Sequence, residues 1–154
     1  MEHRDTDRQR ALAYAFLLLK FRLRSESELR LRLKNKSFTH GVIQATVDFL
    51  KLKKFLDDDY FAKAWISSRL KKPLGLRRIR QELRQKGIEK SIIEDQIGKV
   101  KEDYCEEDVI RRIIKERSSK NRGLAPQKAK RRLYAYLLRR GFTPGSVIEA
   151  IRQL

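Results

Sequence analysis

The sequence ends three helical stretches in the same way, with a leucine, a small residue four positions later and an apolar residue directly after it. The copies occupy residues 33–38, 83–88 and 137–142, at offsets of 50 and 54 residues. Further apolar positions align in this register: Leu29 with Ile79 and Leu133, Ile43 with Ile93 and Val147, Val47 with Ile97 and Ile151, and Leu50 with Val100 and Leu154. Short units at a nearly fixed period bury little surface alone and stack on their neighbours. We therefore predict three tandem repeats, over residues 7–56, 57–100 and 101–154.

Apolar residues recur at steps of three and four, which is the period of helices rather than strands. The sequence has only three prolines and seven glycines, so it contains few helix breakers. This predicts an all-α fold with three helices in each repeat, the repeats forming an elongated, curved array. The predicted helices lie near residues 7–22, 26–36, 42–53, 76–86, 91–100 and 106–117, with a fourth capped by Asp57 or Asp58, an eighth beginning at Pro126 and a ninth beginning at Pro144.

Local signals refine these helices. Ser25 and Glu28 have the spacing of a capping box, which predicts the start of the second helix. The polar stretch 118–124 is predicted to be a mobile loop. The apolar stripe of the first helix is predicted to consist of Leu12, Ala15, Phe16 and Leu19, widened by Leu18 and Phe21.

The charge balance limits the class of partner. Lys and Arg number 38 against 20 Asp and Glu, which gives a net charge of +18. Such an excess repels itself unless a polyanion relieves it, so nucleic acid or a nucleoprotein is favoured over an anionic membrane. The longest apolar run, 11–19, is too short to span a bilayer. The single cysteine, Cys105, favours the cytoplasm and is predicted to be a buried structural thiol.

Basic residues concentrate on the middle helix of each repeat and on the segment that precedes the fifth helix. Solvated helix faces usually mix charges of both signs, and these faces hardly do. They are therefore predicted to face nucleic acid or an acidic protein surface. The candidate residues are Arg30, Arg32, Lys34, Arg69, Lys71, Lys72, Arg77, Arg78, Arg80, Arg84, Lys86, Lys128, Arg131, Arg132 and Arg139.

The sequence shows no constellation typical of catalysis. Consecutive carboxylates at residues 57–59 point in different directions at a helix start, which favours a cap over a metal site. His3 and His40 are isolated and lack the spacing of metal ligands. Phosphate loops, nucleophile elbows and zinc patterns are missing from the sequence. We therefore expect a binding protein without a cofactor or metal, not an enzyme.

The most complete copy of the repeat carries a family resemblance. Its pattern is Leu56-Asp57-Asp58, Phe61-Ala62, Arg69, Gly75, Arg78-Ile79, Glu82-Leu83 and Lys86-Gly87-Ile88, with Arg24-Ser25 and Glu28-Leu29 in the first repeat. This order and spacing resemble the RecX family of bacterial recombination regulators, from about residue 9 to residue 154. One departure is Ser37, where the other two repeats have glycine, and the turn there is expected to differ locally.

The resemblance implies what the residues alone leave open. RecX-like proteins are implied to be all-helical and to bind the RecA filament on single-stranded DNA. They are implied to restrain ATP hydrolysis and strand exchange by RecA, in DNA repair, recombination and the SOS response. Free DNA is a further expected partner, a membrane is not, and the chain is expected to act as a monomer. The alternative is a basic helical protein that acts directly on duplex DNA, for example as a transcription factor.

Overall fold

A computed structural model describes residues 2–121 and 123–154, with all side chains except those of residues 2–5 and 121. Over these residues the chain forms α-helices and one 3₁₀ turn (Ser119–Asn121), and no β-strand. The helices are α1 (Glu2–Phe21), α2 (Glu26–Asn35), α3 (His40–Leu52), α4 (Asp58–Leu70), α5 (Leu76–Gln85), α6 (Lys90–Lys101), α7 (Glu106–Ser118), α8 (Pro126–Arg139) and α9 (Pro144–Arg152). The predicted all-α class and its grouping into three-helix repeats are confirmed.

Helix starts follow the predicted caps. The Ser25 hydroxyl accepts a hydrogen bond from the Glu28 amide, and the Glu28 carboxylate accepts one from the Ser25 amide, which completes the capping box of α2. The Asp57 carboxylate accepts from the Tyr60 amide at 3.0 Å and caps α4. Pro144 follows Thr143, the N-cap of α9. The Ser25 and Asp57 caps satisfy amides that have no partner inside the helix, whereas the Thr143 side chain makes no such bond.

The three middle helices, α2, α5 and α8, end in the same turn. Ser37, Gly87 and Gly141 adopt left-handed backbone with φ of 63°, 74° and 87°. In each copy the amide of the following residue donates back to the leucine five positions before it, at 3.1 to 3.3 Å. Ser37 therefore makes the same turn as the two glycines, and the expected local difference at this position is wrong.

Two compact units divide the chain. One holds the residues up to Ala64 together with Leu83–Ile93, and its core includes Leu29, Leu33 and Val47. The other holds Trp65–Glu82 and Glu94–Leu154, with a core around Ile110, Leu137 and Phe142. The unit boundaries fall within α4, α5 and α6, so the first unit takes part of the second predicted repeat.

Three predictions of burial are wrong. In the described part of α1, Ala11 and the predicted Ala15 are fully buried, whereas Phe21 is 77% exposed, and Phe16 is 38% exposed and packs edge-on against the ring of Phe55. Leu154 lies beyond the end of α9 and is exposed. Cys105 occupies the N-cap position of α7, where its thiol is exposed rather than buried.

The predicted loop after α7 is partly helical. Ser118 is the last residue of α7, and the 3₁₀ turn Ser119–Asn121 continues from it. The hydroxyls of Ser118 and Ser119 each donate to a carbonyl three residues earlier, which satisfies acceptors at the helix end. Arg122, inside the predicted loop, lies outside the described residues.

Candidate functional site

The N-terminus of a middle helix meets the C-terminal turn of the next repeat's middle helix, and this junction occurs once in each compact unit. In the first unit the buried Ser25 hydroxyl donates to the Lys86 carbonyl at 2.6 Å. In the second unit the Gly75 amide donates to the Arg140 carbonyl at 2.9 Å. Ser25 and Gly75 occupy equivalent positions in the repeat, as do the two carbonyls. The junctions fix the backbones from which the candidate basic side chains project.

The glycine that follows each accepting carbonyl has no room for a side chain. A Cβ on Gly87 would lie 2.3 Å from the Cβ of Ser27, and one on Gly141 would lie 2.3 Å from the Cβ of Arg78. Ser37, the equivalent residue of the first repeat, is exposed, as Gly87 is, but among the described residues no helix start donates to the Lys36 carbonyl before it. Glycine is thus required where another helix start packs on the turn, and serine is tolerated where that junction is missing.

Glu82 pairs with two of the predicted basic residues. Its carboxylate accepts from Arg69 at 2.6 Å, from the Trp65 indole at 3.1 Å and from Arg78 at 3.2 Å. Burial alone would raise the pKa of the Glu82 carboxyl, but these hydrogen bonds outweigh it and hold that pKa below its usual value. The Arg69 guanidinium also stacks on the Trp65 ring, 4.4 Å from its centroid. Arg69 therefore braces α4 against α5, whereas Arg78 pairs with Glu82 within α5.

Glu28 forms a second such centre, in the first unit. Both terminal nitrogens of Arg22 donate hydrogen bonds to the Glu28 carboxylate at 3.1 Å, and the Lys86 ammonium donates to the same carboxylate at 2.7 Å. Burial would raise the pKa of Glu28, but the hydrogen bonds from Arg22, Lys86 and the Ser25 amide lower it to about 2. Lys86, predicted to face a partner, thus has an internal role.

Two more of the predicted basic residues form ion pairs with carboxylates of this protein. Arg80 makes three hydrogen bonds of 3.1 to 3.2 Å to Glu94 of α6. Arg30 pairs with Glu26 at 2.9 Å, one helical turn away on α2. Both pairs neutralise charge that the sequence predicts to be available to a partner.

The remaining predicted residues have no acidic neighbour among the described side chains. They are Arg32, Lys34, Lys71, Lys72, Arg77, Arg84, Lys128, Arg131, Arg132 and Arg139, all exposed. Within the part of the chain that the structure describes, no carboxylate lies within 4.0 Å of any of these cations. We call them the free cations, and they carry most of the uncompensated charge of the middle helices.

Two arginines that the sequence analysis missed share one aromatic ring. The guanidinium carbon of Arg117 lies 3.5 Å from the Tyr136 ring centroid, and that of Arg140 lies 5.1 Å from it. Only the spacing of Arg140 to Tyr136, one helical turn, could have signalled this stack, since Arg117 is on another helix. Stacking of this kind orders a guanidinium without neutralising it.

Two residues of the acidic triplet, Asp57 and Asp58, cap helices. Asp58 does not cap α4, because its carboxylate accepts from the Glu26 amide at 2.8 Å and so caps α2. Burial raises the pKa of the Asp58 carboxyl, against the effect of that hydrogen bond. Among the described side chains, no group of three or more His, Cys, Asp or Glu residues is placed to hold a metal ion.

Models of three RecX domains match this chain. The first three-helix domain matches residues 11–50, the second 57–95 and the third 106–151. The chain belongs to the RecX family. Family members are named as regulatory proteins. No helix among the described residues combines the length and apolar character needed to cross a bilayer.

Similar proteins cover the chain in part by sequence and almost wholly by structure. Regulatory protein RecX of Serratia proteamaculans is 33% identical over 66% of this chain and 58% of its own length. The protein of that name from Yersinia pseudotuberculosis is 34% identical over 66% and 54%. The chain therefore spans less than two thirds of these relatives.

Two crystal structures share the fold. RecX from Lactobacillus salivarius superposes with a TM-score of 0.86 at 17% identity, covering 97% of each chain. Another regulatory protein RecX superposes with a TM-score of 0.84 at 21% identity, covering 99% of this chain and 74% of its own. At these identities the likeness shows the fold alone.

Proposed function

We propose that this protein modulates a RecA recombinase by binding the RecA filament on single-stranded DNA and restraining ATP hydrolysis and strand exchange. Membership of a family of regulatory proteins supports a regulatory role. RecA as the partner follows from the resemblance of the repeat pattern. The proposal describes a monomer that acts in the cytoplasm and has no catalytic chemistry of its own.

The observation that carries this proposal is the set of free cations. Exposed cations with acidic partners contribute little to binding, because their field is already compensated. The free cations keep their charge, and most of them project from α2, α5 and α8. A filament that holds a phosphate backbone offers regularly spaced negative charge, and repeated basic helices suit a repeated partner.

The proposed mechanism is steric and energetic. Repeats that bind neighbouring RecA subunits together would favour one arrangement of those subunits over others. A ligand shifts such an equilibrium only by its differential affinity for the two arrangements. Strand exchange and ATP turnover require the filament to rearrange, so preferential binding to one arrangement would slow both.

The first test follows ATP hydrolysis by RecA on single-stranded DNA while this protein is added at increasing ratios. We expect the rate to fall as the ratio rises, most strongly at low salt because the proposed contacts are electrostatic. An unchanged rate at every ratio in low salt would refute the proposal. Preference for one duplex sequence over others at fixed salt would support the alternative, a duplex-binding protein.

A further inference from the structure

A groove of about 410 Å³ lies between α8 and α9 in the second unit. Tyr134, Ile148 and Ile151 provide its apolar surface. Tyr134 and Ile151 are partly buried and pack on the core of the unit, whereas Ile148 is 40% exposed. An apolar side chain inserted between these three residues would remove their exposed surface from water, at about 25 cal/mol for each Å² buried.

The rim of this groove is basic. Lys130, Arg131 and Arg152 line it, and none of the described residues that line it is acidic. Arg152 has one acidic neighbour, Glu149, at 3.9 Å, and both side chains are more than 60% exposed. Such a pair is weak and gives way easily to a better partner. By contrast, Arg69, Arg80 and Lys86 are each held by a carboxylate at 3.1 Å or less.

We infer that the groove binds an acidic peptide segment of a partner protein, with an apolar side chain inserted between Tyr134 and the two isoleucines. Charge complementarity selects the acidic residues, and the apolar surface selects the anchor. The inference rests on the proposed function for the identity of the partner, and on the groove alone for its chemistry.

Other occupants fit the groove less well. Two isoleucines and one tyrosine give a nucleobase little flat aromatic surface to stack on, and a phosphate bound by the basic rim would leave the apolar surface of the groove exposed to water. A second copy of this chain would bring another net charge of +18 towards the basic rim. Repulsion between the two copies opposes that contact.

The test uses a short fluorescein-labelled peptide of Glu and Asp residues with a central Leu and Phe. Two control peptides replace either the Leu and Phe by Ser or the acidic residues by Lys. Anisotropy titrations compare the full chain with Ile148→Glu and Arg131→Glu, and the matched control is Lys115→Glu. Lys115 is exposed on α7, is outside the lining and is not one of the free cations, so this control makes the same charge change away from the groove. The altered residues are exposed, and circular dichroism checks that each variant folds.

We expect the anchored acidic peptide to bind best and to lose about tenfold in affinity with either groove variant. Lys115→Glu should change affinity by about threefold or less. Equal binding of the Ser-substituted peptide, equal losses in all three variants, or no binding of the anchored peptide at low salt would overturn the inference. Because RecA is not used, failure here is distinct from failure of the ATP hydrolysis assay.

Discussion

At the scale of single residues, glycine has two roles in the left-handed turns: it adopts a positive φ, and it leaves room for a neighbouring helix start. Gly87 and Ser37 share the same turn geometry, with φ of 74° and 63°. Only Gly87 has another helix start packed against it, with Ser27 in the space that a Cβ would fill. The two positions therefore differ in packing rather than in backbone conformation.

Alanine at these turns should test that difference. Gly87→Ala and Gly141→Ala should each lower the free energy of unfolding by about 2 kcal/mol or more, because the added Cβ meets a close neighbour and carries the left-handed penalty. Ser37→Ala should change it by about 0.5 kcal/mol or less, since a Cβ is already present on an exposed residue. Urea unfolding followed by circular dichroism measures all three, and a Gly87→Ala variant as stable as Ser37→Ala would contradict the packing argument.

The Glu28 centre predicts how stability depends on pH. Folding lowers the pKa of this carboxyl from its ordinary value of 4.5 to about 2. A lowered pKa contributes stability that is present above the ordinary value and is lost as pH falls towards the folded value. Wild-type protein should therefore lose more stability than Glu28→Gln between about pH 5 and about pH 2. Urea midpoints across this range measure the difference, and parallel curves would show that the centre is not coupled to folding.

At the scale of helices, Asp58 is a residue of α4 that caps α2. Its carboxylate accepts a hydrogen bond from the first amide of α2, while the Ser25 hydroxyl accepts one from the Glu28 amide of the same helix. Two separate segments thus satisfy the start of one middle helix. This bond ties the acidic segment to the first junction.

Removal of the Asp58 cap should lower the free energy of unfolding, and Mg²⁺ should not affect the thermal unfolding of either protein. Asp58→Ala should cost about 1 kcal/mol of unfolding free energy, as the loss of a helix cap typically does. Lys63→Ala, an exposed change on the same helix, is the control. Thermal unfolding should be unchanged by Mg²⁺ or a chelator in wild type and variant alike. A Mg²⁺-dependent rise in the wild-type midpoint that Asp58→Ala abolishes would support a metal site at residues 57–59 instead.

The sequence predicts those features of the fold that depend on residues close together in the chain. The helical period, the capping box and the small residue at each turn are all signals between residues a few positions apart. Such signals are visible in the sequence, and α2 begins at Glu26 as predicted. The apolar pattern indicates the buried face of α1 only in part. Leu12, Ala15 and Leu19 lie on that face as predicted, but the closest packing is made by the small Ala11 and Ala15, and Phe16 is exposed. Residue size at a close helix contact outweighs hydrophobicity there.

The candidate site was predictable only in outline. The concentration of basic residues is visible in the sequence, and the structure leaves many of them exposed. Which of them are neutralised depends on partners distant in sequence, such as Glu94 for Arg80 and Glu28 for Lys86. Composition and helical period contain no information about such pairs, so they overestimate the charge available to a partner.

At the scale of the whole molecule, the proposal requires the free cations to act together on one extended partner. Their number, rather than any single contact, should set both affinity and salt dependence. Arg77 and Arg84 are exposed, lie two turns apart on α5 and have no acidic neighbour among the described residues. They are therefore the most direct pair to alter.

The decisive measurement is the affinity of this protein for RecA filaments on labelled single-stranded DNA across a series of salt concentrations. It compares three proteins: wild type, the double variant Arg77→Glu/Arg84→Glu, and the control double variant Lys63→Glu/Lys115→Glu, whose changes lie on α4 and α7. We predict a steep fall of wild-type affinity with salt, and a shallower salt slope for the Arg77 and Arg84 variant, by about 1 for each phosphate that is no longer neutralised. The control double variant should keep the wild-type slope. Affinity that is independent of salt, or equal slopes for all three proteins, would contradict a filament interface built from the free cations.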